Sequence, residues 1–311
     1  LSPPQPSRRI AVLVPCYNEA PTIAKVVTGF RAAISEARVY VYDNNSTDDT
    51  ASLARAAGAV VRVEPLQGKG NVVRRMFADI DADIYLLVDG DATYDAASAP
   101  KIVARLVTER LDMVVGCRTA MTERAYRSGH RFGNRVLTAV VGYLFGARFS
   151  DILSGYRGLS RRYVKSFPAL AKGFEIETEL TVHALELRMP VAEMATPYGA
   201  RPTGSASKLS TLRDGWRILW TIVNLFKDER PMIFFSAAFA VLAALSLALA
   251  APVIAAYFET GQVARLPTAV LSTGIMLLAF LSLACGFILD TVTHGRRELK
   301  RLAYLAIPPI E

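Results

Sequence analysis

The chain of 311 residues has little cysteine and little histidine, three of each. Cys16, Cys117 and Cys285 lie far apart with no C-x-x-C spacing, which argues against a disulfide framework and a structural zinc site. The histidines are equally scattered and no H-E-x-x-H occurs, so zinc-hydrolase chemistry has no support. G-x-x-x-x-G-K-[ST] is also missing, which excludes a P-loop. No long basic run accompanies the net charge of +8. The excess therefore points away from nucleic acid, toward phosphorylated substrates or an acidic lipid surface. The opening LSPPQPSRR contains no apolar core, so no signal peptide is expected there.

Charge is scarce over one long region. Residues 232–258 contain none, and neither do residues 266–289. Each stretch exceeds the roughly 20 residues that cross a bilayer as a helix. The connector, 259–265, is short, which predicts a helical hairpin; a buried soluble hairpin is the weaker alternative. Lys227, Arg230 and HGRRELKR (294–301) place positive charge on the outer flanks, against one Arg and one Glu in the connector. The positive-inside rule then puts the preceding domain and both termini in the cytoplasm. LRDGWRILWTIVNLFKDER (212–230) mixes apolar and basic residues and holds both tryptophans. It reads as an interfacial juxtamembrane helix, or else as an ordinary packed one.

The first 120 residues alternate in period. IAVLVP (10–15), RVYVYD (38–43), AVVRVEP (59–65), DIYLLVD (83–89) and LDMVVGCR (111–118) read as strands. Helical stretches at 21–34, 48–57 and 68–80 separate the first four. Such alternation predicts an α/β fold with a mostly parallel sheet and helices on both faces. Further helices are expected at 132–145 and 175–189, and a sixth strand at 190–196. Ligands of such sheets bind beyond the carboxyl ends of the strands. Asn18, Glu19, Asp43, Asp89, Asp91 and Arg118 all fall at strand ends.

Asp89 and Asp91 flank Gly90 in LLVDGDATYD. Two like charges so close need an offset. Their hard oxygens suit Mg²⁺ or Mn²⁺, which share ligands with water and phosphate. The plainer reading is a turn begun by Asp91. Lys69 and Gly70, in GKG (68–70), either meet a ligand or merely start a helix. Glu175 and Glu177 form a second acidic pair, assigned to the N-terminus of the helix that follows.

VPCYNEA (14–20), YDNNSTDDT (42–50) and DGD (89–91) together resemble glycosyltransferase family 2, inverting enzymes of GT-A fold that use nucleotide sugars. The resemblance implies that Pro15, Tyr17 and Glu19 line the nucleoside, with Asn18, Lys69, Gly70 and Gly90 also on the nucleotide sugar. It implies that Asp43 accepts a hydrogen bond from the base. Asp89 then lies near ribose and metal, and Asp91 is the principal metal ligand. VVGCR (114–118) resembles a strand whose arginine, Arg118, meets phosphate; a plain surface residue is the alternative. DILSGYRGLS (151–160) resembles the segment beneath the acceptor, making Asp151 an acceptor-side carboxylate or a simple cap.

RPTGSASKLS (201–210), ahead of the juxtamembrane helix, is similar to the basic loop of polyprenyl-phosphate glycosyltransferases, including dolichyl-phosphate mannose and glucose synthases. Arg118, Arg131, Asp151, Arg201, Ser207 and Lys208 are the acceptor and phosphate residues this implies. The loop is one residue longer between Arg201 and Lys208 than in the mannose form, which leans toward UDP-sugars. The expected organisation is a catalytic domain (1–211), the juxtamembrane helix (212–230) and a hairpin with a tail (231–311). The expected reaction is inverting transfer of one sugar, UDP-glucose before GDP-mannose, to a polyprenyl phosphate. Mg²⁺ or Mn²⁺ is the implied cofactor. The partners are nucleotide sugar, lipid phosphate and bilayer, without nucleic acid; a homo-oligomer stays open. A processive polysaccharide synthase fits less well, since Q-x-x-R-W is absent. A catalytically dead membrane adaptor would not need the intact acidic pair and basic loop.

Overall fold

The computed structural model describes residues 8–120, 138–143, 149–170, 173, 175–199, 220, 223–225, 227–263 and 265–310. These residues group into two compact units, one of residues 1–216 and 299–311, the other of residues 217–298.

The first unit is built on a seven-stranded sheet in the order β3-β2-β1-β4-β6-β5-β7. The strands are β1 (Ile10–Cys16), β2 (Arg38–Asp43), β3 (Val60–Val63), β4 (Ile84–Leu87), β5 (Met113–Ala120), β6 (Arg157–Ser160) and β7 (Val191–Tyr198). β1 to β4 run parallel, as do β5 and β7. β6 alone is antiparallel, to both β4 and β5. The sequence reading expected six strands and missed β6. Its four residues, RGLS, show no apolar alternation, yet all are buried. Gly158 lets α4 (Ala99–Thr108) approach, since a Cβ there would lie 2.4 Å from Ile102 Cγ2.

Helices cover both faces. α1 (Ile23–Ala33) buries Ile23, Val26, Val27 and Phe30, the one-face spacing of an amphipathic helix. It shares one core cluster with α4 and with Ala54 of α2 (Thr50–Ala56). The other face is covered by α3 (Lys69–Asp79), α5 (Arg161–Ser166) and α6 (Ile176–Glu186), with Met76, Tyr163 and Leu180 in its core. Of the helix expected at 132–145, residues 138–143 are described and helical. Residues 220, 223–225 and 227–229 of the expected juxtamembrane helix are helical as well.

The second unit contains α7 (Pro231–Thr260) and most of α8 (Leu266–Leu305). Both are long and apolar enough to cross a membrane, and only 6 % and 11 % of their apolar windows are buried by protein. A soluble core helix would be mostly covered, and these two are not. Within the pair, Ser246 donates to the Ser272 carbonyl at 2.7 Å and Ser282 to the Phe235 carbonyl at 3.2 Å. Such hydrogen bonds hold helices together where burial from water gives no drive.

The tail after residue 299 belongs to the first unit. Lys300 pairs with Glu186 at 2.6 Å, and Arg301 donates to the Leu187 carbonyl at 2.8 Å, across the end of α6. The Tyr304 hydroxyl donates to Asp112 Oδ2 at 2.8 Å. Asp112 is fully buried and also takes Arg162, at 2.5 and 2.8 Å, and the Ser160 hydroxyl. The Arg162 guanidinium stacks 4.7 Å from the Tyr304 ring centroid. Tyr304→Phe is expected to lower unfolding stability by about 1.5–3 kcal/mol, the usual worth of a hydrogen bond to a charged group. Thermal or urea unfolding of the detergent-solubilised protein checks this, and an unchanged midpoint would mean that the tail is not held there.

Candidate active site

Three of the polar strand ends meet where β1 and β4 lie side by side and the strand order reverses, the usual ligand crevice of an open α/β sheet. Cys16 is opposite Asp43 in the register, which places the Tyr17–Glu19 turn beside the end of β2.

That turn is fixed by YDNNSTDDT. The Asn18 amide donates to Ser46 Oγ and its side chain accepts from Thr47 N, both at 2.8 Å. Glu19 N donates to Thr50 Oγ1 at 2.8 Å, and Ala20 N to Asp48 Oδ2 at 3.1 Å. The Asp48 carboxyl lies below its ordinary pKa: burial would raise it, but bonds from Thr50 and Ala20 prevail. The Thr22 hydroxyl reaches the Gly90 carbonyl at 2.7 Å, joining this turn to the acidic pair. The two sequence motifs are thus one structural unit.

Asp43 is buried; among the described residues its Oδ2 accepts from Ser46 N at 3.2 Å, and Oδ1 is buried with no hydrogen-bond partner. An unused buried carboxylate oxygen is costly unless a ligand supplies a donor. Asn44 supports it by bonding the Glu64 and Leu66 carbonyls and Gly68 N, at 2.7–2.8 Å. Gly68 itself has φ +130°, a conformation L side chains rarely adopt, and starts α3 there.

Lys69, in the first turn of α3, lies 2.5 Å from both Asp89 Oδ1 and Glu177 Oε1. Burial pulls its pKa down, but the two carboxylates outweigh it and hold the ammonium above its ordinary value. Sequence reading had placed Glu177 only at the start of a helix. It is in the first turn of α6, and it also reaches the acidic pair through Lys69. Arg157 positions that turn. It is fully buried and donates to the carbonyls of Ile152, Ser154 and Glu177 and to the Thr181 hydroxyl, at 2.6–3.0 Å. Burial presses its pKa down.

Asp91 is buried and its Oδ1 accepts from Thr93 N and Oγ1, at 3.2 and 2.6 Å. Ala92 follows with φ +56°, a left-handed conformation that costs a non-glycine residue ~1–2 kcal/mol. No group of three or more His, Cys, Asp or Glu forms a complete metal cage among the described residues. Two hard carboxylates suit a divalent ion that completes its shell with phosphate oxygens and water.

Arg118, at the end of β5, makes a bidentate pair with Asp151, Nε and Nη2 both at 2.7 Å, and its guanidinium lies 5.6 Å from the Tyr198 ring centroid. Asp151 was expected on the acceptor side or as a cap; here its carboxylate holds Arg118. The neighbouring Cys117 is no nucleophile, since burial pushes its thiol up to about 12. Pro15 and Gly70 fall in β1 and α3 as expected. Arg131, Arg201, Ser207 and Lys208 lie outside the described residues.

Gly155 packs against Asp89, with a Cβ there falling 2.5 Å from Asp89 Oδ2. Gly155→Ala is expected to lower metal-dependent nucleotide affinity by about tenfold or more, since a 1.4 kcal/mol displacement of the carboxylate suffices. Calorimetric titration with UDP and Mn²⁺ measures it; unchanged affinity would detach Asp89 from the ligand.

Comparison with known proteins agrees with this geometry. The family model for glycosyl transferase family 2 matches residues 11–166. Glycosyltransferase AglJ of Haloferax volcanii is 35 % identical over 299 residues, covering 95 % of this chain and 98 % of that protein. Dolichyl-phosphate hexose transferase of the same organism is 27 % identical, covering 71 % of this chain and 95 % of that protein. Glucosyl-3-phosphoglycerate synthase of Mycobacterium tuberculosis, crystallised with Mn²⁺, UDP-glucose and phosphoglyceric acid, superposes with a TM-score of 0.57 at 25 % identity, over 71 % of this chain and 79 % of that one. With its sheet order, its acidic pair and these relatives, the chain belongs to glycosyltransferase family 2 and is a hexosyltransferase of GT-A type.

Proposed function

We propose that this enzyme transfers a single hexose, with inversion, from a nucleotide sugar to a polyprenyl phosphate at the cytoplasmic face of a membrane. One observation carries the nucleotide reading: the buried, unpartnered Asp43 Oδ1 lies on the same rim as Asp89 and Asp91. An acceptor of that kind suits the N–H of a pyrimidine base. UDP-glucose is the first choice, supported by the synthase crystallised with that donor, and GDP-mannose the second. The lipid acceptor is supported by the dolichyl-phosphate relative, by the two apolar helices and by the S-K-L loop.

In this reading Pro15, Tyr17, Asn18 and Glu19 line the nucleoside, and Lys69, Gly70 and Gly90 border the donor. Asp91, with Asp89, would hold Mg²⁺ or Mn²⁺, which supplies charge neutralisation for the departing diphosphate. An acceptor phosphate oxygen attacks the anomeric carbon as the bond from that carbon to the diphosphate oxygen breaks. The attacking phosphate is already anionic, so a strong general base is less needed than for a hydroxyl. Catalysis then rests on orientation and on offsetting the repulsion of two anions. Arg118, Arg131, Arg201, Ser207 and Lys208 are assigned to that work. The expected limits of 1–211, 212–230 and 231–311, with the tail from residue 299 grouped with the first unit, suit an enzyme working at a bilayer surface.

Three experiments test this. Asp91→Asn, or chelation of the parent enzyme, should abolish turnover while the melting curve is retained; full activity in EDTA would remove the metal. Nucleotide sugars offered with undecaprenyl or dolichyl phosphate should give a lipid-linked hexose identified by mass. Lys208→Ala should lower transfer to lipid phosphate far more than slow hydrolysis of the donor, because water brings no second anion. Recovery with a short-chain acceptor in detergent would instead assign Lys208 to the membrane surface, where a basic residue is worth about 1 kcal/mol.

A further inference from the structure

Glu193 lies on the edge strand β7, opposite Val115 of β5, and no part of the proposed chemistry uses it. Among the described residues its carboxylate forms no ion pair and is held by backbone amides. Oε1 accepts from Ser150 N at 2.8 Å and Asp151 N at 3.3 Å, and Oε2 accepts from Ser150 N at 3.0 Å. An anionic acceptor on backbone amides is among the stronger hydrogen-bond types. The segment it grips is the one that carries Asp151. Asp151 in turn holds Arg118 by two bonds of 2.7 Å.

The strand that bears Glu193 is itself pinned. Arg105 donates to the Glu193 carbonyl at 2.6 Å, and the Thr196 hydroxyl donates to the Cys117 carbonyl at 3.2 Å. At its far end, Tyr198 packs 5.2 Å from Tyr94 and beneath the Arg118 guanidinium. On the other side of the gripped segment, the Ser154 hydroxyl donates to the Gly116 carbonyl at 2.6 Å. Residues 150–154 are therefore clamped between β5 and β7: the Arg157 guanidinium holds the Ile152 and Ser154 carbonyls, and the Glu193 carboxylate holds the Ser150 and Asp151 amides.

We propose that Glu193 is a positioning residue: through the Ser150 and Asp151 amides it sets the Asp151 carboxylate, and so the Arg118 guanidinium, in register for a substrate phosphate. A guanidinium binds phosphate through a planar fork, so its value depends on orientation as well as charge. Without Glu193 the Asp151 amide loses its acceptor and Arg118 keeps its charge but not its aim. The inference rests on the reading of Arg118 as a phosphate ligand, and the test separates the two.

Initial rates are measured with UDP-glucose and a short-chain polyprenyl phosphate, and Mn²⁺–UDP binding by calorimetry, for Glu193→Ala, Glu193→Gln, Arg118→Ala and Glu193→Ala with Arg118→Ala. Glu193→Ala should lower kcat/KM about tenfold, and Glu193→Gln, which keeps an acceptor oxygen, only about twofold. In the Arg118→Ala background the Glu193→Ala change should cost less than about twofold further, because residues acting through one another are non-additive. Full additivity with an Arg118 effect present would overturn the role of Glu193 and leave Arg118 in place. Absence of any Arg118→Ala effect on rate or binding would overturn the Arg118 reading and this inference with it. If Glu193→Ala does not fold, Glu193→Gln carries the same cycle: equal loss with and without Arg118 overturns the proposal.

Discussion

The acidic pair at the end of β4 is the constraint on which the site depends. Two carboxylates one residue apart, beside a third on α6, repel unless a cation is held among them. Lys69 supplies one, 2.5 Å from Asp89 and from Glu177. Its ammonium cannot be solvated there, so the surrounding backbone has to be exact in position rather than adaptable. α3 must start at residue 69, which Gly68 and the Asn44 contacts arrange. The first turn of α6 must approach, which the fully buried Arg157 arranges. Gly155 must lack a side chain, since any Cβ would strike Asp89. Buried pairs of this kind seldom add stability over apolar packing. Their value here is that a charged rim is held in one geometry.

The same logic explains why a polar rim, the proposed nucleotide site, sits on an otherwise ordinary sheet. Strands β1 and β4 are apolar and buried through most of their length, and the polar residues begin where hydrogen-bond pairing ends. Asp43 is the exception, buried within the last register position of β2 with an unused oxygen. It departs from the rule that buried acceptors are satisfied, and such departures concentrate where a ligand supplies the missing donor.

How much of this was legible in the sequence follows from the range of each interaction. Strand and helix periods are local, so β1 to β5, α1 and α3 were read within a few residues. The Asn18 and Thr47 contact spans 29 residues and was visible only as two motifs that recur together in a family. Lys69 and Glu177 are 108 residues apart, and nothing in either neighbourhood announces the other. β6 failed for a different reason. Its pattern is set by what surrounds it: Arg157 is buried because four oxygens converge on it, and Gly158 because α4 needs the space. Glu193, within the strand expected at 190–196, gave no signal of its own, since its partners are backbone amides that carry no side-chain signature.

The tail adds an argument about topology that the charge pattern alone could not make. Lys300, Arg301 and Tyr304 engage Glu186, Leu187 and the buried Asp112, so residues after 299 fold into the same compact unit as the sheet. Parts of one compact unit cannot stand on opposite sides of a bilayer. In the proposed membrane arrangement a chain that leaves this unit and returns to it has to cross an even number of times, which the two apolar helices between satisfy as a pair. In the proposed orientation the flanking basic residues make that side the cytoplasmic one. The Asp112 contacts say that it is one side, whatever the sign of the loops, because separating Tyr304 from a fully buried carboxylate would leave a charge short of one of its hydrogen bonds.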